Sequence, residues 1–535
     1  MPKRAANPGV LTPEAARAFL WNILELVLCV ALLALLAPAH LLAVKHPRYG
    51  GTLRIELHVP SISLDPREWK TGSIAAAENE QLAALVYDRL LTLDNYGRFQ
   101  PALATEWSYD PTSKNWQFKL RPGVKFSDGS FLAPKDVAGA LQPLLPDGLQ
   151  ISPTENGVQI HTTRPTSHLL EQLASGRFFV FRVQTDGTLI GTGPFLLAEN
   201  SPAAPSEANP SASKLAHLKF RANEEAWAGR PFVDAVEVTL GQPALRQILN
   251  LQVGRAEIVD IPPDLVRKAR QENLRIWSSP PDTLLALCFN ETQPGTSDPR
   301  LREALDLSLD RDTMASVLLQ RQALPAPALL PQWLSGYAFL FGTPMNLDRA
   351  KELRASLPAN LAGVGEPLRL RVDAVGDLMK LLGERVAVNA RQANIAIQLV
   401  PHSAPAAGSS TTTSPGPGLH LFAWHYDSFS PRAELQALAR HLHTVSGSEA
   451  EAEAASDTDD PEKLYAEERR FLDERLVLPL VLLPEYVGIA PSVRNWTAGP
   501  SGEWHFADVW LESGEPAAPN TQPETGRSAS TGVHP

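Results

Sequence analysis

The sequence is poor in cysteine, and this excludes several kinds of protein. Only two cysteines occur among 535 residues. Cys29 lies inside an apolar segment and follows the bulky Val27 and Leu28, which makes it a poor lipid acceptor. Cys288 lies in an apolar run and is expected to be a buried strand residue. A disulfide framework and a CxxC metal site are therefore excluded.

An excess of basic residues is also missing. The chain has 48 lysines and arginines against 59 acidic residues, a net charge of −11. No basic cluster with interleaved aromatic residues is present, so a nucleic-acid partner is excluded. The HExxH and GxSxG motifs are absent, and His420 and His425 lie at an odd spacing that puts them on opposite faces of a strand. We therefore predict no catalytic residues, no metal ligands and no cofactor.

What the N-terminus does have is one long apolar segment. Residues 26–44 are nearly continuous hydrocarbon, and Lys3, Arg4 and Arg17 precede them. Small residues at 37–39 favour cleavage by a signal peptidase. The apolar length, close to the ~20 residues that span a bilayer, favours an uncleaved anchor. Residues 1–44 are thus a signal peptide or a membrane anchor, and both place the rest of the chain outside the cytoplasm.

Proline is abundant, with 47 residues, and much of it lies in stretches rich in Ala, Ser and Gly. Such stretches lack the apolar residues that offset the entropy of ordering, so we expect mobile loops there. The stretches are 201–213, 403–418 and 446–460, with a polar tail at 514–535.

Between these loops, hydrophobic periodicity alternates between strands and helices. Residues 52–57 and 116–120 alternate with period two and predict strands, whereas 74–91 has helical spacing. Asp298 and Pro299 have the residue types of an N-cap and a first helical position. Further along, 346–357 predicts a helix, and the unit of strand 368–372, helix 381–393 and strand 395–400 follows. A helix from Asp460 and a strand at 477–481 complete the pattern.

Short motifs occur in a fixed order along the same segments. The Gly-Thr-Gly of residues 191–193 lacks the third glycine of a phosphate loop and favours a tight turn. The motifs are GGTLRI at 50–55, SLDP at 63–66, RPGVKFSDG at 121–129, IGTGPF at 190–195, AWAGRPF at 226–232, DPRLREAL at 298–305 and LFAWHYD at 421–427.

In order and spacing, these motifs resemble those of the family 5 extracellular solute-binding proteins, the peptide, oligopeptide and nickel receptors of ABC importers. The resemblance implies an α/β, two-lobed periplasmic binding protein type II-like fold with a hinge. Lobe one would comprise 48–280 and 475–513. Lobe two would comprise 281–474, with disordered insertions at 403–418 and 446–460. Residues 278–281 and the strand at 478–480 are the hinge candidates.

The resemblance also implies where a ligand is held. Asp427 occupies the place of an aspartate that pairs with the free amino group of a bound peptide, and Trp424 that of a neighbouring tryptophan. A buried ammonium needs a fixed carboxylate, because an unpaired buried charge costs several kcal/mol. The alternative for Asp427 is a solvated strand-end carboxylate or a helix cap, and for Trp424 a pocket wall or a core residue.

The resemblance implies a periplasmic, monomeric protein, with residues 1–44 either cleaved or kept as an anchor in the cytoplasmic membrane. It would capture a peptide or similar small solute and deliver it to an ABC permease, without acting as an enzyme. Two alternatives stay open: a nickel or haem receptor of the same family, and a membrane-tethered sensor or scaffold that has lost transport binding. A hydrolase is a third option, for which the sequence shows no motif.

Overall fold

A mixed α/β sheet runs through the chain. The computed structural model describes residues 46–512, except 95, 147, 163–167, 175, 203–214, 294, 359–365, 373–376, 401–416, 447–459 and 500–502. From Tyr49 onward these residues belong to one compact unit. In order across the sheet the strands are Phe195–Pro202, Leu215–Ala222, Ala235–Thr239, Thr52–Glu56, Ile258–Asp260, Val477–Ile489, Arg275–Phe289, Leu419–His425, Leu368–Val372 and Ile397–Val400, and Leu324–Pro325 also pairs with Val477–Ile489.

The first half of the sheet contains parallel strands. Thr52–Glu56 pairs in parallel with Ala235–Thr239 on one side and with Ile258–Asp260 on the other. Its alternation confirms the predicted strand, since Leu53 and Ile55 are fully buried. Because parallel strands end at the same edge of a sheet, the segments that follow Glu56 and Asp260 meet there.

The second half contains the predicted strand, helix, strand unit. Leu368–Val372 pairs in parallel with Ile397–Val400, and the helix Asp377–Gln392 connects them. Leu368–Val372 also pairs in parallel with Leu419–His425, the strand that leads to Asp427. Parallel neighbours need such a crossover connection, and a helix is its usual form.

Two long antiparallel strands, Arg275–Phe289 and Val477–Ile489, connect the halves. One core cluster draws its residues from 53–269 and 486–509. Two further clusters, one on each face of the sheet, draw theirs from 284–483. Cys288 is buried in this second part, as predicted. Each long strand therefore passes from the first core into the cores of the second half. On Arg275–Phe289 this change lies between residues 277 and 284, and on Val477–Ile489 between 483 and 486.

The pairing of the long strands is irregular at this change. Register shifts occur on both sides of Pro281, which lies opposite Pro484. Pro479, in the second hinge candidate, instead lies opposite Ala286. The two hinge candidates thus lie at different levels of the strand pair.

Smaller sheets and hairpins surround the first core. The strand predicted at 116–120 is confirmed within an antiparallel sheet. The four-stranded sheet contains, in order, Ala104–Asp110, Asn115–Leu120, Gly157–Thr162 and Leu149–Pro153. The two-stranded pairs are Leu91–Leu93 with Phe99–Pro101, Arg182–Val183 with Leu189–Ile190, Val493–Arg494 with Trp510–Leu511, and Thr497–Ala498 with Trp504–His505.

Several helices begin after a residue whose side chain accepts a hydrogen bond from the first turn. Asp298 accepts from the N–H of Arg300 at 2.9 Å, and Asp460 from that of Glu462 at 3.1 Å. The predicted cap at Asp298 and the predicted helix start at Asp460 are both confirmed. The α-helices are Ile74–Ala83, Pro134–Leu141, Leu169–Ala174, Ala244–Gln252, Pro263–Gln271, Pro299–Ser308, Arg311–Thr313, Gln332–Ser335, Leu347–Ala355, Asp377–Gln392, Pro431–Ser446 and Pro461–Glu474; Pro66–Glu68 and Ala338–Leu340 are 3₁₀, and Met314–Leu318 is a π-helix.

The helix predicted over 74–91 is too long, because it ends at Ala83. The following backbone bonds to another segment: the N–H of Gly193 donates to the carbonyl of Val86 at 3.0 Å. A Cβ on Gly191 or Gly193 would come within 2.0 or 2.6 Å of the Val86 backbone. The Gly-Thr-Gly segment is thus a close backbone approach, as its interpretation as a turn indicates.

Several predictions fall outside the described residues. They are the signal peptide or anchor at 1–44, the tail at 514–535, and nearly all of the three internal low-complexity stretches. Among the helices that the structure describes, none combines the length and the apolar character needed to cross a bilayer.

Candidate functional site

Asp427 follows the strand Leu419–His425 and is held by its neighbours. The adjacent Tyr426 is buried; its hydroxyl donates to the carbonyl of Leu329, and its N–H donates to the carbonyl of Asp282 at 2.9 Å. Asp427 Oδ2 accepts a hydrogen bond from the N–H of Gly72 at 2.9 Å. Its Oδ1 is buried and accepts none from any described residue. Asp427 therefore has one oxygen committed and one available to a ligand.

Gly72 connects the two halves of the chain at this point. Its N–H bonds Asp427, and its carbonyl accepts from the N–H of His425 at 2.8 Å. It has φ +75°, and a Cβ would lie 2.4 Å from the indole ring of Trp424. Both the backbone conformation and the close approach require glycine here.

We expect Gly72→Ala to destabilise the protein by about 2–5 kcal/mol, the sum of positive-φ strain and overpacking against Trp424. Gly97→Ala is the matched control, because Gly97 has φ +73° and nothing within 4 Å of a Cβ. It should cost only about 1–2 kcal/mol. Urea unfolding of both variants gives the comparison, and equal losses would show that the approach to Trp424 does not matter.

Trp424 lies in the core behind Asp427. It is 2 % exposed, and its indole N–H donates to Glu434 Oε2 at 3.1 Å. Its ring lies 5.4 Å from that of His441, centroid to centroid. These contacts orient Trp424 toward Gly72 and Glu434.

A cavity of about 160 Å³ opens beside Asp427. Residues of both halves of the chain line it, including those of the helices Ile74–Ala83 and Pro431–Ser446. Its charged residues are Glu80, Asp427, Glu434, Arg177 and Arg440, and its apolar ones are Trp69, Ala76, Leu144, Pro146, Phe178, Ala433 and Ala437. Carboxylates, guanidinium groups and apolar walls thus meet in one cavity, as they do in small-molecule sites.

Burial disfavours the charged form of the cavity's carboxylates. It raises the pKa of Glu80 to about 8, although Arg89 opposes the change. It raises the pKa of Glu434 well above its usual range, and the charge of Asp427 adds to this. The pKa of Asp427 is also raised by burial, against the favourable charges of His425 and Arg177. A cation entering the cavity would relieve this crowding of carboxylates.

Two arginines take part in this balance of charge. Arg89 is 2 % exposed; it pairs with Glu80 and Glu503, and it donates to the carbonyl of Gly176 at 2.8 Å. Burial lowers the pKa of Arg177, and Asp427 opposes that shift. Arg89 is thus committed to its partners, whereas Arg177 faces the cavity together with Asp427.

The structure brings together both residues that the sequence singled out, with Asp427 on the cavity and Trp424 behind it. Sequence reasoning missed Gly72, Glu80, Arg177 and Glu434. Gly72 precedes a serine N-cap, which signals only a turn before a helix. The other three lie on or beside helices without a motif, and nothing local distinguishes them from surface charges.

The chain has an α/β fold with two sets of cores, joined by long strands, and a cavity lined from both halves of the chain. Residues 98–443, more than half of the chain, match the family model of bacterial extracellular solute-binding proteins, family 5 Middle. The chain belongs to this family, and the predicted membership and fold class are confirmed.

Curated relatives share low identity. The chain is 23% identical over 316 residues to the peptide transport periplasmic protein SapA of Salmonella typhimurium, covering 50% of this chain and 55% of that protein. It is 22% identical over 517 residues to a dipeptide-binding protein of Pseudomonas aeruginosa, covering 83% and 92%. The chain spans between 55% and 59% of the length of the first curated relatives it matches.

Solved structures share the fold. The oligopeptide-binding protein AppA of Bacillus subtilis, in complex with a nonapeptide, superposes with a TM-score of 0.70 at 17% identity, over 88% of this chain and 100% of that one. At this identity the similarity shows the fold alone.

Proposed function

We propose that the protein captures short peptides outside the cytoplasmic membrane and delivers them to an ABC permease, without chemistry of its own. Family membership supports the class of function, and the names of the relatives support peptides as the solute. The observation that carries the proposal is the free Oδ1 of Asp427 in a cavity lined from both halves of the chain. A peptide ammonium placed there would gain a charge-assisted hydrogen bond.

Arg177 and Arg440 would then attract the other end of a short peptide. Both line the same cavity as Asp427. The cavity, about 160 Å³, is smaller than the ~300–1,000 Å³ of typical drug-sized sites. This volume favours enclosure of one or two residues of a peptide.

We further propose that the two lobes meet where the cores change. Lobe one would comprise 48–280 and would resume near residue 485 rather than 475, since residues 477–483 pack in the cores of the second half. The hinge would then lie at residues 278–281 and at Pro484, the position opposite Pro281. A few residues at such irregular pairs can absorb a domain rotation.

The test is a ligand screen with the purified full chain. We expect native mass spectrometry against a pool of dipeptides to nonapeptides to show one bound peptide. A saturating peptide should raise the free energy of unfolding by about 2.7 kcal/mol at a concentration 100 times Kd. Peptides recovered intact would support binding without turnover, and hydrolysis would contradict it.

Nickel and haem belong in the same screen as alternative ligands. A thermal shift with either one, and none with any peptide, would overturn the peptide proposal in favour of a metal or haem receptor. No shift with any of these ligands would favour a sensor or scaffold. Sedimentation of the full chain would test the predicted monomer.

A further inference from the structure

Three potential metal ligands converge at the edge of the first half of the sheet. His58, Glu78 and Asp260 each place one nitrogen or oxygen within 4.8 Å of the other two. Within the described part of the chain, these three are the His, Cys, Asp or Glu residues that lie close enough together, as a group of three, to hold one metal ion. The Asp427 cavity is lined by none of the three residues.

The fold dictates this convergence. Asp260 ends the strand Ile258–Asp260, and His58 follows the neighbouring parallel strand Thr52–Glu56, so both lie at the carboxyl edge. The N–H of His58 donates to the Asp260 carboxylate at 3.1 Å, and its imidazole contacts the same group. Glu78 comes from the helix Ile74–Ala83.

Glu78 supplies a second, independent observation. Its residue is only 9 % exposed, and no hydrogen bond or opposite charge from a described residue acts on its carboxyl group. A nearby amide does not serve it, because the side-chain N–H of Gln81 donates to Glu485. The charged form of such a carboxyl group is costly, and either a proton or a cation would remove that cost; the convergence with His58 and Asp260 favours a cation.

We propose that His58, Glu78 and Asp260 bind a divalent transition-metal ion, with Zn²⁺ as its representative. One imidazole and two carboxylates suit zinc, whereas calcium takes oxygen ligands only. At the widest spacing of 4.8 Å, an ion at the centre would lie about 2.8 Å from each atom. Small side-chain rotations would bring this to the ~2.0–2.2 Å of zinc bonds.

The exposure of the three side chains provides an entry path. The His58 side chain is 54 % exposed and that of Asp260 11 %. A bound ion would thus have two protein ligands inside and an imidazole at the opening, with water completing the coordination. It would tie the helix Ile74–Ala83 to the sheet edge.

In the test, the full chain is first stripped of metal with EDTA, and Zn²⁺ is then titrated into it in a calorimeter. A second titration uses Co²⁺, and visible absorption detects its binding. We expect one equivalent to bind with micromolar or tighter Kd, and Co²⁺ to give a ligand-field band. Glu78→Gln and His58→Gln should each weaken binding by at least tenfold. Glu155→Gln, at an exposed carboxylate, is the matched control and should leave Kd unchanged.

Absence of saturable binding at one equivalent would overturn the site, as would a Kd unchanged in both ligand variants. Unfolding curves in EDTA check that the variants fold, and the half-exposed His58 is the safer of the two to replace. Asp427→Asn should keep zinc binding while losing peptide binding. Failure of this proposal is therefore distinguishable from failure of the peptide proposal.

Discussion

Replacing Asp427 by asparagine is expected to weaken peptide binding by a factor between about 30 and several thousand, equivalent to about 2–5 kcal/mol. The aspartate offers its free Oδ1 to the peptide ammonium, and the amide cannot neutralise that charge inside the cavity. Calorimetric titration of a peptide identified in the screen measures the change. Asp348→Asn is the matched control, because Asp348 is an exposed carboxylate of the second half and no described residue bonds its side chain.

The same variant should not destabilise the ligand-free protein. Burial already raises the pKa of Asp427, so its ionised form is held at a cost without ligand. Asparagine can still accept the hydrogen bond from Gly72. We expect unfolding without peptide to be unchanged or to require slightly more urea. A large loss of stability, or a peptide Kd equal to that of Asp348→Asn, would show that Asp427 supports the fold rather than the ligand.

The position of Asp427 could be predicted from the sequence because it lies within a short motif that follows an apolar strand. Its partner could not be. Gly72 lies 355 residues away along the chain, and only the assembled fold brings its N–H to Asp427. Local patterns carry information about the face and end of an element but none about the segment packed against it.

The helices and strands could likewise be predicted where local patterns set them, but not where distant segments set them. Strand Thr52–Glu56 and the helix after Asp298 are set by alternation and capping, which are local, and both are confirmed. The helix over 74–91 was overestimated because apolar residues continue past Ala83, although there they pack as irregular chain against Gly193. The pairing of Pro281 with Pro484 could not be predicted, since the register between two strands about 200 residues apart depends on the assembled sheet.

The stability of the protein is expected to fall as pH rises from about 4.5 to 7, and Glu468 is the clearest cause. Glu468 is fully buried on the helix Pro461–Glu474, and it accepts from the N–H groups of Leu329 at 2.6 Å and Leu330 at 2.8 Å. Burial raises its pKa from 4.5 to about 7, although these donors oppose the change. The folded state thus keeps a proton that the unfolded state loses in this range.

The direction and size of this change in stability with pH follow from proton linkage. Below pH 4.5 Glu468 is protonated in both states and does not change the free energy of unfolding. Between pH 4.5 and 7 each pH unit lowers the free energy of unfolding by about 1.4 kcal/mol, and above pH 7 the total loss stays at about 3 kcal/mol. Glu468→Gln should match the parent near pH 4.5 and exceed its free energy of unfolding by up to about 3 kcal/mol at pH 8, since the neutral amide still accepts from both N–H groups. Urea unfolding at the two pH values measures the difference. Glu462→Gln, on the exposed first turn of the same helix, should leave the pH profile unchanged. Equal pH profiles for the parent and Glu468→Gln would mean that Glu468 ionises normally, with water or a counter-ion offsetting its burial.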